Sequence, residues 1–317
     1  MSGRLRIFYV SDLHGSERCF RKFINGGQAY KADVLILGGD VAGKAIQPLT
    51  HRAGNRYTCH FHGADYDVGP GDGLEELERL IADQGLYAYR AEPGEMETLT
   101  SAGDLDALFL KLMKERLAGW TRLADERLRP LGKQVYWMLG NDDPPELAEV
   151  LDSAPWGVNV DNKVVPVSDD HEMLSLGYSN ITPWHSPREV MEDVLAEMLD
   201  RLRAQVKAPE QAIVNLHVPP YDTGIDQAPM LDANLQVQTA AGQVKFAPAG
   251  STAVRALIES MQPLLGLHGH IHEAHGFRQL GRTLVVNPGS DYTTGSLDGE
   301  LVTLERNLVK AHQFVRG

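Results

Sequence analysis

Seven short, continuously apolar runs constrain what this chain can fold into: "LRIFYVSD" (5–12), "ADVLILGGD" (32–40), "QVYWMLGND" (134–142), "EMLSLGYSN" (172–180), "QAIVNLH" (211–217), "PLLGLHGHIH" (263–272) and "RTLVVNPGS" (282–290). They are rich in β-branched and aromatic residues and bounded by Gly, Asp, Asn or Pro. Apolar runs of this length without polar alternation read as strands covered on both faces. Amphipathic patterns lie between them. Helices are expected at 74–84, over much of 104–129, at 188–206, and at 252–261 after Ser251, an N-cap residue type. In the second of these, Leu105, Leu108, Leu112 and Leu123 form an apolar stripe with charges opposite. Strands alternating with helices predict a layered α/β architecture.

The 317 residues suffice for one large α/β domain or two smaller ones. No repeat or low-complexity linker divides them, so a single domain over 1–317 is expected, with a long insertion at about 43–130. The first part of that insertion, "GKAIQPLTHRAGNRYTCHFHGADYDVGPGDG" (43–73), is rich in Gly, His and Tyr and reads as a rim loop with at most a short hairpin. Two cysteines, Cys19 and Cys59, are too few for a disulfide framework or a four-cysteine zinc site. Cys59, His60 and His62 lack a second chelating pair and read as a surface hairpin. A formal charge of -13 argues against holding long nucleic acid by bulk electrostatics, and leaves room for a small or short phosphorylated substrate. No run is long enough to span a bilayer and no leader pattern opens the chain, so a cytoplasmic protein without a membrane partner is expected.

The residues just beyond each strand carry chemistry. Asp12 and His14 come after the first run, Asp40 after the second and Asn141 after the third; 211–217 ends in His217, and 263–272 brings His268, His270 and His272. Ligands of open α/β sheets bind beyond the carboxyl ends of the strands, so polar groups placed there by separate runs can converge in one crevice. Asp12 and His14 are two apart, as are His270 and His272. In extended backbone that spacing sends both side chains of a pair to one side. The mixed nitrogen and oxygen donors suit first-row divalent ions, Mn, Fe, Co, Ni or Zn, and Asp12, His14, Asp40, Asn141, His217, His270 and His272, seven donors, are too many for one tetrahedral site. Two ions sharing a carboxylate would use all seven, and paired metals are a recurring device for displacement at phosphorus.

In order, "DLHG", "GGD", "GND", "NLH" and "GHIH" resemble the five signature blocks of the calcineurin-like metallophosphoesterases, over about residues 5–290. The resemblance implies a four-layer αββα sandwich, two mixed β-sheets flanked by helices, with a dinuclear site at the strand ends. It assigns Asp12, His14 and His272 to one metal, Asp40 as bridge, and Asn141, His217 and His270 to the other. His268 falls outside the pattern and reads as a supporting residue. The implied activity is metal-dependent hydrolysis of phosphate mono- or diesters by a metal-bridging hydroxide. Departures from the pattern narrow the subfamily. "GGDVAGK" lacks the arginine of the protein serine/threonine phosphatases, and Gly43 stands where purple acid phosphatases place tyrosine. The family's DNA nucleases usually keep a histidine after the asparagine, where this chain has Asp142. What remains resembles small bacterial and archaeal phosphodiesterases and phosphatases.

An aspartate beside two cations stays ionised, donates no proton and repels phosphate. Asp142 therefore favours substrates whose leaving groups need little protonation, or a proton donor from His60, His62 or His185. Substrate contacts are expected from Lys44, His60, His62, Tyr178, Asn180 and Trp184; candidate substrates include a nucleotide or a phosphodiester. A fold of this kind kept as a binding or scaffold module, with little or no activity, is the rival reading, and a mononuclear zinc hydrolase a third. Oligomeric state is not legible in the sequence.

Overall fold

Along Leu5–Val10, alternate side chains go to different places. Leu5, Ile7 and Tyr9 join a cluster with Val34, Ile36, Met173, Ile213, Leu265, Leu284 and Val286, whereas Phe8 and Val10 join Phe20, Phe23, Leu117, Trp120 and Trp137. A strand sends successive side chains to opposite faces, so the first cluster lies between two sheets and the second lies between one sheet and its helices. A third cluster sets Leu174, Leu176, Val214 and Leu216 against Leu195, Leu199, Val254, Leu257 and Ile258. These three apolar layers define a four-layer αββα sandwich, the architecture expected from the resemblance. The computed structural model describes residues 3–232 and 234–317.

One six-stranded sheet runs in the order Leu308–Arg316, Asp298–Glu305, Leu5–Val10, Val34–Gly38, Gln134–Met138, Val158–Asn159. The last four strands are parallel, and the C-terminal pair adds antiparallel to them. The other sheet runs Gly276–Leu280, Thr283–Asn287, Leu265–Leu267, Ile213–Leu216, Glu172–Leu176, Lys163–Pro166, with antiparallel strands only at its edges. Both sheets are therefore mixed. Helices Glu17–Ala29 and Leu105–Leu128 cover the first sheet, where Trp120 stacks on Phe20 with centroids 4.2 Å apart. Helices Glu192–Arg203 and Thr252–Met261 cover the second. Ser251 caps the latter by accepting from Val254 N–H, and among the described residues no helix is long and apolar enough to cross a membrane.

Several elements differ from the sequence reading. Within the insertion, Ile46–Arg52, Arg56–Phe61, Ala64–Val68 and Tyr87–Ala91 form a four-stranded sheet, in place of a loop with at most a hairpin. Helix Asp72–Asp83 covers it with Leu74, Leu77 and Ile81 packed on Leu49 and Phe61. Only one face of this sheet is buried, so its strands lack the continuous apolar runs that mark the main sheets. The long helix after it belongs to the main outer layer. Helix Glu17–Ala29, capped by Ser16, and the C-terminal hairpin are additions that the apolar pattern does not announce. The helix expected over 188–206 begins at Glu192, because Glu189–Val190 pairs with Ser179–Asn180.

Glu300 shares the inward-facing parity of Val302 and Leu304 and is fully buried. One carboxylate oxygen lies 3.0 Å from His312 Nδ1 and the other has no partner. Burial pushes this carboxyl up to about 8, against about 4.3 for an exposed glutamate. A folded-state value raised above the unfolded one favours the fold while the group is protonated, and that contribution is lost as pH rises through the folded value. Glu300→Gln should therefore gain stability over wild type between pH 5 and 8, by on the order of a few kcal/mol at pH 8.5. Urea unfolding at several pH values measures it; a difference independent of pH would contradict the assignment.

Candidate metal centre

The strand ends meet at one place. Asp12 N–H donates to Gly39 C=O at 3.0 Å, His14 N–H to Asp40 C=O at 2.9 Å and Gly15 N–H to Val41 C=O at 2.8 Å, so the first two loops stay zipped beyond their strands. They do so out of the extended conformation: Asp12, His14 and Asp40 have φ of 59°, 41° and 51°, and His270 has 66°. The extended backbone expected from the two-residue spacing of Asp12 and His14 is therefore replaced by left-handed turns. Left-handed backbone in side-chain-bearing residues costs about 1–3 kcal/mol each and clusters where surrounding structure over-determines a site.

The turns bring the donors together. Asp12, His14 and His272 form one group with ligand atoms within 4.8 Å of one another, and Asp12, Asp40 and His217 form a second. His14 Nε2 lies 3.0 Å from His272 Nε2 and 3.6 Å from Asp40 Oδ2; on the other side, His217 Nε2 lies 3.4 Å from Asp40 Oδ1. Asp40 thus stands between the two halves. His270 donates its backbone N–H to both Asp12 oxygens at 3.1 and 3.0 Å, and its ring centroid is 5.3 Å from that of His217. Asn141 sits beside Asp40, since the next residue, Asp142, donates its N–H to Asp40 Oδ1 at 3.0 Å.

Buried carboxylates need compensating charge. Burial would lift Asp12 and Asp40, but neighbouring histidines hold both well below the ordinary range. Burial pulls the other way on His217, yet Asp40 and Asp12 carry it up to about 10. Burial keeps His14 low and pushes His270 down to about 4, so both stay neutral. The fit to divalent ions rests on the atoms left over. The buried Asn141 Oδ1 and His217 Nε2 have no hydrogen-bond partner, while His217 Nδ1 is 2.9 Å from Gly38 C=O, a contact that fixes the ring and aims Nε2 inward. With metal–nitrogen bonds of about 2.0–2.1 Å, two histidine ligands of one ion stand roughly 3 Å apart, as His14 and His272 do.

Residues outside the seven-donor pattern hold this arrangement. Asp143 accepts from Gly140, Val41 and Ala42 N–H at 2.7, 3.0 and 2.8 Å, tying the asparagine loop to the Asp40 loop. Arg188, buried, donates to Gly140 C=O at 3.0 Å, and its N–H reaches Asn141 C=O at 3.1 Å. Asn287 donates to Gly269 and Ile271 C=O, and Ser290 to Asp12 C=O. His268 packs beneath, its Nδ1 2.8 Å from Leu216 C=O and its ring pushed down to about 4 by burial. The Tyr292 ring, 4.8 Å from that of His14, adds an aromatic wall that no strand-end pattern announces.

The expected substrate contacts divide. Lys44 Nζ lies 2.7 Å from Asp142 Oδ2, and Ser186 donates to the other oxygen of that carboxylate. Tyr178 covers Arg188 at 4.4 Å, the Asn180 amide reaches Ala249 C=O at 3.5 Å, and Trp184 is 60% exposed. His60 pairs with Asp65 on its own hairpin at 2.7 Å, and exposed His62 packs edge-on against Phe61. Neither contacts the seven donors, and His185 is exposed.

No family model matches the chain. Over 157 residues it is 31% identical to an uncharacterized protein of Methanocaldococcus jannaschii, a stretch covering 49% of this chain and 63% of that protein; the chain therefore spans less than two thirds of the curated relative it matches. Its fold is similar to the crystal structure of a Thermus thermophilus protein, with a TM-score of 0.54, 16% identity and 99% of each chain covered. A dimetal phosphatase of Danio rerio aligns over 98% of both chains with a TM-score of 0.43 and 8% identity. The chain resembles the calcineurin-like metallophosphoesterases in its ordered blocks and shares the αββα fold that the resemblance implies.

Gly140 lets the two carboxylate-bearing loops close on each other. A Cβ there would lie 2.1 Å from Asp40 Oδ1 and 2.3 Å from Asp40 N. Gly140→Ala should lower divalent-metal content by at least about tenfold, as supporting-residue changes commonly do, while leaving far-UV circular dichroism unchanged. Elemental analysis after dialysis against Mn or Ni measures it; full metal content in the variant would contradict the close approach.

Proposed function

We propose that this chain is a calcineurin-like metallophosphoesterase that hydrolyses phosphate esters using two divalent transition-metal ions, drawn from Mn, Fe, Ni, Co and Zn. The observation that carries the reading is the convergence of buried carboxylates and inward-facing histidine and asparagine atoms, some without partners, at the carboxyl ends of both sheets. Asp12, His14 and His272 would hold one ion, Asn141, His217 and His270 the other, with Asp40 shared. Bound ions would supply an activated water and neutralise charge on the phosphoryl oxygens.

The chain's own groups do the rest. Asp40 faces histidines of both halves at 3.6 and 3.4 Å, as a shared ligand must. Asp142 does not stand as a bare anion at the mouth, because Lys44 pairs with it and Ser186 fixes its other oxygen. That pairing answers the repulsion expected from the sequence and presents an ammonium, half exposed, to a phosphate oxygen. No imidazole occupies the Asp142 position, which supports substrates with leaving groups that need little protonation, aryl esters and diesters of acidic alcohols among them. The intact ligand set weighs against a scaffold kept only for binding.

Asp40→Asn should remove most bound metal and lower kcat by about a hundredfold or more, a loss of roughly 3 kcal/mol of transition-state stabilisation. Turnover of bis-aryl and mono-aryl phosphates at wild-type level would sink the proposal.

The Lys44–Asp142 pair gives a second test. Lys44→Met should raise KM for phosphate esters by about tenfold to a hundredfold, the worth of a charged hydrogen bond, and Lys44→Arg should restore most of it. Asp142→His should speed alkyl esters far more than p-nitrophenyl esters. Steady-state kinetics on matched ester pairs decides, and equal effects on both leaving groups would count against a missing proton donor.

A further inference from the structure

Beyond strand Thr283–Asn287 the chain returns to the metal-centre face and makes a short 3-10 turn there, Tyr292–Thr294. Both flanks of that turn are tied down. On the near side, Ser290 N–H donates to His272 C=O at 3.2 Å and its hydroxyl donates to Asp12 C=O at 2.7 Å. On the far side, Gly295 N–H donates to Tyr292 C=O at 2.9 Å, Asp291 bridges to Ser296, and Arg316 pairs with the Asp291 carboxylate. Tyr292 is therefore delivered to the site by backbone bonded to two of the seven donor residues.

Its ring is held and its hydroxyl is free. The ring centroid lies 4.8 Å from that of His14 and 5.9 Å from that of His272, at interplanar angles of 48° and 89°. Elsewhere the ring packs on Gly85, where an added Cβ would stand 3.4 Å from Tyr292 Cε2. Two imidazoles and a glycine thus fix the plane of the half-buried phenol. The hydroxyls of Tyr87, Tyr89 and Tyr136 bond to Gly43, Glu95 and Pro166, whereas that of Tyr292 has no protein partner among the described residues.

Charges at the mouth of the site locate that hydroxyl. Burial raises the phenol above its ordinary range, the Lys44 ammonium opposes the rise, and the Asp142, Asp40 and Asp12 carboxylates add to it. Lys44 feels Tyr292 in return. Charges act on one another in this way over about 8–10 Å, so hydroxyl, ammonium and carboxylates border one space.

We infer that Tyr292 touches the substrate, its hydroxyl donating a hydrogen bond to a phosphoryl oxygen and its ring walling the pocket beside His14 and His272. The inference rests on the phosphoester reading above and adds a residue to it. A phenol suits this place better than a second cation. Another ammonium would be drawn onto a carboxylate, as Lys44 is onto Asp142 at 2.7 Å, while the phenol keeps its hydrogen for an incoming acceptor. A donor whose ring is already fixed also needs no reorganisation when the phosphoryl group arrives.

Tyr292→Phe removes only the oxygen and keeps the wall. Calorimetric titration of the metal-loaded protein with inorganic phosphate, alongside turnover of p-nitrophenyl phosphate, tests the assignment. Phosphate affinity and kcat/KM should each fall by about tenfold to a hundredfold, the worth of a hydrogen bond to a charged group. Metal content by elemental analysis and the thermal midpoint should stay at wild-type values. Unchanged phosphate affinity in the variant overturns the inference. So does loss of metal in step with phosphate, which would make Tyr292 a prop for the His14 ring. If phosphate binds wild type in a Tyr292-dependent way but no ester is turned over, the hydrolytic reading fails and the donor stands. If esters are turned over equally by wild type and variant, the donor fails and the reading stands. A wild-type protein that binds no phosphate refutes the donor.

Discussion

Two carboxylates, Asp12 and Asp40, sit almost without solvent where the parallel strands end, and the rest of the strand-end face is arranged around that electrostatic burden. Among the described residues no lysine or arginine lies within salt-bridge distance of either; their partners are His14, His217 and His272. Imidazole is a conditional counter-ion. It carries charge only when protonated, and the same nitrogen that would hold the proton is the one that would hold a metal. A permanent guanidinium here would stabilise the carboxylates and close the site to any other cation. Histidines leave the choice between proton and metal open.

Such a face must be rigid, because its cost is already high. The left-handed residues Asp12, His14, Asp40 and His270 would relax if the loops could move. They are held by acceptors and donors that touch none of the seven donor side chains: Asp143 beneath the Asn141 loop, Arg188 on its other flank, and Asn287 under the His270 turn. Behind them lies the apolar layer between the sheets, in which fully buried side chains such as Ile7, Ile36, Ile213 and Leu265 each contribute about 1.5–3 kcal/mol. The strain at the strand ends is local, and the layer that offsets it is distributed across both sheets.

That division explains what is legible in the sequence. The central strands announce themselves because burial on both faces forces continuous apolar runs, and the donor set is visible because each member comes directly after such a run. The C-terminal hairpin Asp298–Glu305 and Leu308–Arg316 stays hidden, since its outer strand alternates with polar residues and carries no donor. The four-stranded sheet of the insertion is hidden for the same one-faced reason. Asp143 stands in plain view beside "GND", yet its role lies in three backbone N–H groups, two of which come from a loop a hundred residues away. Arg188, Ser186 and Tyr292 reach the face by folding alone, and no spacing rule points to them. The pairing of Lys44 with Asp142 is the clearest case: each can be flagged singly, but the cancellation of their charges is a property of the fold.

That cancellation bears on how so acidic a protein could accept an anionic substrate. Charges on distant surfaces are screened over about 8–10 Å at physiological ionic strength, so the overall -13 matters less than the balance within reach of the phosphate. There the carboxylates of Asp12, Asp40 and Asp142 face the Lys44 ammonium and, without metal, the His217 imidazolium that Asp40 and Asp12 hold protonated, so the pocket alone stays net negative and would repel a phosphate. Two divalent ions would reverse the sign of that balance, leaving the pocket net positive with Lys44 at its edge. Metal occupancy and substrate affinity would then be linked through charge, without any movement of the chain. An aspartate at position 142 strengthens the link, because it makes the metal-free pocket more negative than a histidine would and lets Lys44 contribute only once the ions have taken up the remaining negative charge.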